Sequence, residues 1–436
     1  MQRRRFLAGS LVAGLASVAG CAGRGGGGGS SDDTQTESGS TDATDDSGGT
    51  DSDTDTEATA GETPTDEPVA GDVQSVAGVS LPVPREKLSR GAGKDAIPAI
   101  TDPVFGDDWA GVTIEVTNRF TGDTTEKEPR LQPDDKVVGV SRDGEARAYP
   151  LRILNWHEIV NDEFGGPLLV TFCPLCGSGL TAVRRVDGET TNFGVSGLLW
   201  NSDLVMYDEL TESLWSQIAA TAIRGDRVGH RLELVPSTIT TLSEWRDSHP
   251  DTEILRPPPE SETIVSGPGI RDYTANPYAS YDESSQVGLG RNEFDDDRLH
   301  PKARVLGIAA DGEAVAYPLQ TVLDRGGLVE DTVGDTPVVV AVGANQQTLH
   351  GYVRRVDGTT LSFTAAGEGK MSAGGSTWSV TSGEALDGSY EGTTLDPASE
   401  TGQQFWFSWA DFNPETAVFG PTQGDTETPT ETEPGY

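Results

Sequence analysis

The sequence predicts a β-rich α+β fold in which one mainly antiparallel unit occurs twice. The first observation is a repeated segment, because residues 137–151 match residues 305–319 at most positions. The second is that Asp-Gly pairs separate short segments of alternating apolar and polar residues, which is typical of β-hairpins. We therefore expect two related copies of the unit, at residues 76–255 and 298–420.

The elements of the first copy follow from its apolar pattern in chain order. Residues 137–141 and 146–149 form predicted strands on either side of the turn signal Asp143-Gly144, and a proline ends the second strand. Residues 151–162 then carry apolar side chains at helical spacing and predict a short helix. The later predicted elements are strands at 168–172, 180–186, 191–195, 204–207 and 214–218 and a helix at 241–248.

The charge of the chain excludes some classes of partner. Its 436 residues carry a formal net charge of −39, from 70 acidic and 31 basic side chains. We expect no nucleic-acid partner, because binding to phosphates requires clustered Lys and Arg. Adsorption to anionic lipid headgroups is disfavoured for the same reason. An acidic, lysine-poor surface is typical of halophilic proteins, in which concentrated salt screens the repulsion within about 3 Å.

The first 21 residues resemble an export signal. Three arginines, Phe6-Leu7 and a short apolar run resemble a twin-arginine signal, which carries proteins across the membrane already folded. Residues 18–21 resemble a lipobox, so we expect Cys21 to be lipidated and to anchor the protein on the outer face of the membrane. An ordinary cleaved signal with an incidental cysteine is the alternative.

Three further segments lie outside the two copies. Residues 22–75 are rich in Gly, Ser, Thr and Asp and predict a disordered acidic tether. Residues 256–297 are rich in Pro, Gly and Asp and predict a linker between the copies. Residues 421–436 predict a disordered acidic tail.

The two copies differ at the residues that carry chemistry. The first copy contains His157, Cys173 and Cys176, whereas the aligned positions of the second copy hold an arginine, a glycine and a glutamine. Residues that form only the core should persist in both copies. The difference therefore favours a functional site in the first copy and a second copy that has lost it.

The Cys173-Pro-Leu-Cys176 motif directly follows a predicted strand and is compatible with three uses. In a redox dithiol, Cys173 attacks as a thiolate, Cys176 resolves the mixed disulfide, and His157 controls the protons. As a structural disulfide, the motif closes so short a loop that the entropic gain is only about 2 kcal/mol. Only three cysteines are present, which excludes a disulfide scaffold.

Metal binding is the third use of the same motif. Cys173 and Cys176 would hold copper(I) or another thiophilic metal, with His157 and Met206 as further candidate ligands. A closed structural zinc site is disfavoured, because the chain has no second cysteine pair. The alternatives are a hydrogen bond from His157 to the backbone and core packing for Met206.

Several motifs together resemble the domain-of-unknown-function family numbered 3179. In chain order, these motifs are Asn155-Trp-His-Glu-Ile-Val-Asn-Asp162, Phe172-Cys-Pro-Leu-Cys-Gly177, Ser196-Gly197, Met206-Tyr-Asp208 and Leu214-Trp-Ser-Gln217. The resemblance covers roughly residues 85–420. It implies an exported protein, and it implies redox chemistry at the cysteine motif, since some members carry selenocysteine at a cysteine position.

The function expected from the sequence is therefore that of a membrane-anchored thiol–disulfide redox protein with an unidentified redox or protein partner. One alternative is a metal-binding protein, with copper as the candidate metal. The other is a non-catalytic lipoprotein that binds a ligand and uses the cysteine pair as a structural disulfide.

Overall fold

The computed structural model describes residues 73–118, 121–265, 270–281, 284–289, 294–399 and 401–421. The predicted signal segment with the lipidation site at Cys21, nearly all of the tether and nearly all of the tail lie outside the described residues. In the part of the chain that the structure describes, none of the helices is long and apolar enough to cross a membrane.

The fold is a six-bladed β-propeller, with 42% of its described residues in strands and 10% in helices. The prediction of two related α+β units was therefore wrong. The longest helices have only seven residues and connect β-hairpins, so they do not form a layer of their own. Hairpin signals in the sequence report which neighbouring strands pair, but they do not report how successive sheets are arranged around an axis.

Residues 75–263 supply three of the six blades. The strands of this segment are β1 Ser75–Val76, β2 Val79–Ser80, β3 Leu88–Arg90, β4 Ile100–Asp102, β5 Phe105–Gly106, β6 Ile114–Thr117, β7 Thr124–Lys127, β8 Lys136–Arg142, β9 Glu145–Pro150, β10 Ile159–Glu163, β11 Pro167–Cys173, β12 Ser178–Val183, β13 Arg185–Val186, β14 Glu189–Thr190, β15 Phe193–Trp200, β16 Asp203–Asp208, β17 Leu214–Ser216, β18 Thr221–Arg224, β19 Thr238–Thr241, β20 Glu253–Leu255 and β21 Glu262–Thr263. The blade sheets have the strand orders β12-β11-β10-β4-β21, β18-β17-β16-β15-β3 and β19-β8-β9-β20-β5. The pairs β1-β2, β6-β7 and β13-β14 form separate two-stranded sheets.

Residues 304–418 supply the other three blades. The strands of this segment are β22 Arg304–Ala310, β23 Glu313–Pro318, β24 Leu328–Val333, β25 Thr336–Val342, β26 Leu349–Val353, β27 Arg355–Val356, β28 Thr359–Thr360, β29 Thr364–Gly367, β30 Lys370–Ala373, β31 Ser376–Ser379, β32 Gln404–Phe405 and β33 Ala417–Val418. The blade sheets have the strand orders β32-β22-β23-β33, β24-β25-β26 and β29-β30-β31, and β27-β28 forms a separate two-stranded sheet. The α-helices are α1 Leu151–His157, α2 Leu242–Ser248, α3 Leu319–Asp324 and α4 Trp406–Phe412.

The matching sequence segments form corresponding hairpins, β8–β9 and β22–β23. Each hairpin contains one glycine against which a tryptophan packs. A Cβ atom on Gly139 would lie 2.4 Å from the Trp245 ring, and one on Gly307 would lie 2.1 Å from the Trp409 ring. The shared residues therefore preserve close packing between a strand and a helix within a propeller.

The predicted linker, residues 256–297, contributes to the folded structure. It contains β21, which pairs with β4, one tyrosine that contacts His157 and another that contacts the cysteine motif. The Tyr273 hydroxyl oxygen lies 2.7 Å from His157 Nε2, so a hydrogen bond joins the two side chains. The Tyr281 hydroxyl donates to the carbonyl oxygen of Leu175 at 3.0 Å.

Candidate functional site

The two cysteines lie in a tight turn between β11 and β12. Cys173 ends β11, and its carbonyl oxygen accepts hydrogen bonds from the amides of Cys176 at 3.2 Å and Gly177 at 2.8 Å. Gly177 has φ +63°, a left-handed conformation that glycine adopts without a steric cost. Both cysteines are free thiols with 2% or less of their surface exposed. The turn therefore places two buried sulfur atoms side by side.

The β15–β16 hairpin approaches these sulfur atoms through a main-chain carbonyl group. Its two-residue loop consists of Asn201 and Ser202, with φ +50° and +67°, as expected for a hairpin turn of this length. The Ser202 carbonyl oxygen lies 3.3 Å from Cys176 Sγ and 3.7 Å from Cys173 Sγ, and both thiols donate to it. One oxygen atom therefore faces both sulfur atoms.

Asp203 is the third side chain of the site. One of its carboxylate oxygens and the two sulfur atoms all lie within 4.8 Å of one another, and all three residues are buried. The Ser216 hydroxyl donates to Asp203 Oδ2 at 2.6 Å, and the Ile218 amide donates to Oδ1 at 3.3 Å. Burial raises the pKa of Asp203 to about 7, although these hydrogen bonds act in the opposite direction.

Glu158 is a second buried carboxyl group beside Asp203. It follows α1 with φ +59° and is 7% exposed. Burial and the charge of Asp203 raise the pKa of Glu158 to about 8. Among the described residues, no hydrogen bond or ion pair reaches its carboxyl oxygens. Glu158 lies outside the group of three residues within 4.8 Å, so it neighbours the site without belonging to that group.

The surroundings of Cys176 disfavour its thiolate form. Burial raises the pKa of the Cys176 thiol well above its ordinary value, and Cys173, Asp203 and Asp411 raise it further. These three neighbours are acids themselves, so each one that ionises opposes ionisation of the next. An arrangement of this kind is stabilised in the ionised state by a cation placed among the acidic groups.

His157, predicted as a site residue, has other partners. It ends α1 with no exposed surface, Nδ1 lies 2.7 Å from the Pro98 carbonyl oxygen, and Nε2 lies 2.7 Å from the Tyr273 hydroxyl. Burial lowers the pKa of His157 to about 4. Both ring nitrogens are therefore occupied, and His157 is not in the group formed by Cys173, Cys176 and Asp203.

Met206 packs in the same hydrophobic cluster as the two cysteines and is fully buried. It is paired with Trp215 on β17. In another blade, Met371 is paired with Trp378 in the same way and is also fully buried. A methionine at this position therefore also occurs where no cysteine pair is present, which matches the core-packing alternative for Met206.

Some residues of the remaining family-like motifs contact the site, whereas others contact only residues away from it and stabilise the fold. Ser216 donates a hydrogen bond to Asp203, and the Gln217 side-chain amide donates to Thr171 Oγ1 at 3.0 Å, on the same strand as Cys173. Tyr207 instead donates to Asp95. Asp208 accepts a hydrogen bond from the Trp215 indole at 2.9 Å and so belongs to the scaffold.

Sequence reasoning missed Asp203, Ser202 and Glu158. Asn201-Ser202-Asp203 is a polar triplet between two apolar strands, and Glu158 directly follows His157 in the chain. The position of this triplet at a predicted hairpin loop was the signal that could have indicated these residues. Only the pairing of the strands shows that the loop and the start of the next strand lie beside the cysteines. Glu158 was overlooked because His157 is the more familiar ligand type.

The α4 helix supports the cysteine turn from the other half of the chain. The carbonyl oxygen of Cys176 accepts a hydrogen bond from the Phe405 amide at 2.9 Å. Ser408 Oγ lies 3.1 Å from the same oxygen, 3.1 Å from Gln404 Oε1 and 2.9 Å from the Phe405 carbonyl oxygen, and its single hydroxyl proton is shared among these three acceptors. The first half of the chain therefore supplies the sulfur atoms, while the second half helps to fix the turn that carries them.

Comparison with known proteins identifies a family. No curated protein and no solved structure matches the chain. The family model described as "Protein of unknown function (DUF3179)" matches residues 94–416, which contain Cys173, Cys176, Asp203 and Glu158. The resemblance found in the sequence motifs is thereby confirmed, and the chain belongs to the DUF3179 family.

Proposed function

We propose that the protein binds a thiophilic divalent metal ion through Cys173, Cys176 and Asp203. The observation that carries this proposal is the group of two sulfur atoms and one carboxylate oxygen, all within 4.8 Å of one another. Thiolate and carboxylate groups are ordinary ligands of zinc, and the ligand atoms of one tetrahedral zinc ion lie about 3.5–3.8 Å apart, so atoms that are already within 4.8 Å of one another can converge on one ion by a small movement.

The electrostatics of the site support the same proposal. Two thiols and two carboxyl groups are buried close together, and burial raises the pKa of Asp203 to about 7 and that of Glu158 to about 8. A divalent ion would compensate the charge of the ionised groups, and its binding would release the thiol protons. The metal would therefore take the place of protons in the folded protein.

The ligand set also bears on the identity of the metal. The sequence suggested copper(I) with His157 or Met206 as additional ligands. His157 makes two other hydrogen bonds, and Met206 packs against hydrophobic neighbours. A carboxylate oxygen is a harder ligand than imidazole or thioether, so Asp203 favours a zinc-like ion over copper(I).

Metal content provides the test of this proposal. The full chain is purified under reducing conditions without chelator, loaded with Zn²⁺, desalted and assayed by elemental analysis. We expect about one zinc per chain, loss of the metal in Cys173→Ser, and at least roughly 10- to 100-fold weaker binding in Asp203→Asn, because loss of an outer-shell partner alone already weakens binding by that factor. Met206→Leu is the matched control and should bind normally. A wild-type protein that retains no zinc, or equal affinity in Asp203→Asn, would contradict the proposal.

A thiol–disulfide redox activity is the second candidate, and it is favoured by the proximity of Asp203 to both thiols. Asp203 would accept the proton of one thiol. The resulting thiolate would attack a substrate disulfide and release one substrate thiolate, and the second cysteine would then displace the other. The substrate gains two electrons, and Cys173 and Cys176 become a disulfide. This activity requires the buried turn to open, because protein substrates cannot reach sulfur atoms that are 2% or less exposed.

The redox candidate has its own measurement. The fraction of Cys173–Cys176 disulfide is followed by alkylation in thiol–disulfide buffers of known potential. A redox-active pair should have a potential well above about −300 mV, whereas a structural disulfide falls below that value. A potential below it, or no disulfide formation at all, would remove this candidate and leave the metal proposal standing.

A further inference from the structure

We infer that the main-chain carbonyl oxygen of Ser202 is the fourth ligand of the proposed metal ion. The site would then be a closed tetrahedral centre of two sulfur and two oxygen atoms. The lack of a second cysteine pair argued against a closed zinc site, but here the oxygen atoms of Asp203 and Ser202 take the two remaining positions. This inference rests on the proposed metal-binding function and adds a ligand that no side-chain motif can indicate.

The distances around the Ser202 carbonyl group fit such a centre. A tetrahedral ion with metal–sulfur bonds of about 2.3 Å and metal–oxygen bonds of about 2.0–2.2 Å places each sulfur about 3.5 Å from the oxygen. The observed separations from the Ser202 oxygen are 3.3 Å to Cys176 Sγ and 3.7 Å to Cys173 Sγ. The carbonyl group therefore needs little movement to share one ion with both sulfur atoms.

The chemistry of deprotonation leads to the same arrangement. In the metal-free site, the two thiol protons lie between the sulfur atoms and the Ser202 oxygen. When the thiols ionise, those hydrogen bonds are lost and three electron-rich atoms face one another. A divalent ion that replaces the two released protons restores an attractive contact among the sulfur atoms, the Ser202 oxygen and the carboxylate of Asp203.

The backbone holds this carbonyl group in place. Ser202 occupies the second position of the two-residue loop, where φ is positive and glycine is the usual residue. It is also closely covered, because a Cβ atom on Gly288 would lie 1.7 Å from the Ser202 hydroxyl oxygen. The loop and its neighbour therefore fix the direction of the peptide group that faces the sulfur atoms.

A closed centre has a functional consequence. Four protein ligands leave no coordination position for water or substrate, which is the property of structural zinc sites. The metal would join the β11–β12 turn to the β15–β16 hairpin, and these elements belong to two different blades. The expected role is therefore to stabilise the packing between blades, and zinc removal should lower the melting temperature.

Two measurements on the metal-loaded full chain test the inference. Zinc X-ray absorption should show two sulfur neighbours at about 2.3 Å and two oxygen neighbours at about 2.0–2.2 Å. The visible spectrum of the Co²⁺ form should not change when imidazole or azide is added. A change in that spectrum, or a different number of sulfur and oxygen neighbours, would overturn the fourth ligand.

A matched pair of variants tests the position of the peptide group. Ser202→Gly removes the hydroxyl that packs against Gly288 but readily adopts the left-handed conformation, so zinc affinity should fall by a few-fold at most. Ser202→Val disfavours positive φ and should weaken binding roughly tenfold or more. Equal affinity in the two variants would contradict the inference, and if the valine variant does not fold, the absorption and imidazole results decide. Failure of wild type to bind any metal would instead contradict the proposed function.

Discussion

Gly177 shows how one residue supports the cysteine turn. Its φ of +63° lies in the left-handed region, and a Cβ atom there would lie 3.0 Å from the Arg304 guanidinium and 3.1 Å from the Phe405 ring. The residue is therefore required both for backbone conformation and for space. A larger residue would displace the turn that carries both sulfur atoms.

We expect Gly177→Ala to lower the free energy of unfolding by about 1–3 kcal/mol, because left-handed backbone strain and crowding add together. Chemical denaturation measures this change. Gly188→Ala is the control, since Gly188 has φ +79° but open space around the added methyl group. The control should lose only the smaller conformational part, and equal losses would show that crowding by Arg304 and Phe405 is unimportant.

His157 makes the stability of the fold dependent on pH. Its pKa is about 4 in the folded protein and about 6.5 when unfolded, because burial disfavours the charged imidazole and nearby Arg271 adds to this effect. Between these values the unfolded chain binds the proton and the folded protein does not. Stability should therefore be complete above pH 6.5 and decrease as the pH falls towards 4.

We expect His157 to contribute about 2–3 kcal/mol to the loss of stability between pH 7.5 and pH 4.5. Denaturation of wild type and His157→Gln at both pH values measures this contribution. The variant should be less stable at pH 7.5 but should lose correspondingly less on acidification. An identical pH dependence in both proteins would assign the loss to other groups, such as His350, whose pKa is also lowered to about 4.

At the scale of elements, the site is assembled where a turn, a hairpin loop and a helix meet. The β11–β12 turn supplies the thiols, the β15–β16 hairpin supplies Asp203, and α4 holds the turn through Ser408. None of these elements makes the site alone. Contacts between elements that are distant in sequence therefore determine whether the ligand atoms are correctly placed.

We expect Ser408→Ala to cost about 1 kcal/mol of stability, because the hydroxyl that donates among the Cys176 carbonyl, the Phe405 carbonyl and Gln404 is removed, and the Cys176 carbonyl group keeps only its hydrogen bond from Phe405. Zinc affinity should fall by a few-fold, since the turn is less firmly held. Thermal unfolding and competition with a zinc chelator measure the two effects. Ser372→Ala, in β30 of a different sheet, is the control, and a similar loss there would contradict a specific role for Ser408.

The accuracy of the sequence predictions also depends on the distance between residues in the chain. The turn at Asp143-Gly144 was correctly predicted, because β8 and β9 pair across it. Cys173 and Cys176 were correctly placed together, because three peptide bonds keep them close. The contact of Asp203 with the cysteines arises only from the packing of separate strands, and so does the propeller. Residues that are close in the chain determine which strands form hairpins. Contacts between blades determine which side chains come together at the site.

The net charge of −39 acts on the whole molecule. Repulsion among acidic groups destabilises the compact state, and dissolved ions screen that repulsion. We expect the melting temperature to rise by several degrees between low salt and molar KCl. Sucrose at matched osmolality is the control, because it stabilises proteins without screening charge. A salt effect no larger than that of sucrose would contradict the expectation of a salt-adapted surface.

Binding of Co²⁺ to the reduced full chain tests the central claim most directly, because tetrahedral cobalt bound to thiolates gives an intense, characteristic spectrum. We expect the spectrum to develop until one equivalent has been added. Zinc should reverse it, Cys173→Ser should abolish it, Asp203→Asn should weaken it, and His157→Gln should leave it intact. The absence of a thiolate–cobalt spectrum in the wild-type protein would contradict a metal centre formed by Cys173, Cys176 and Asp203.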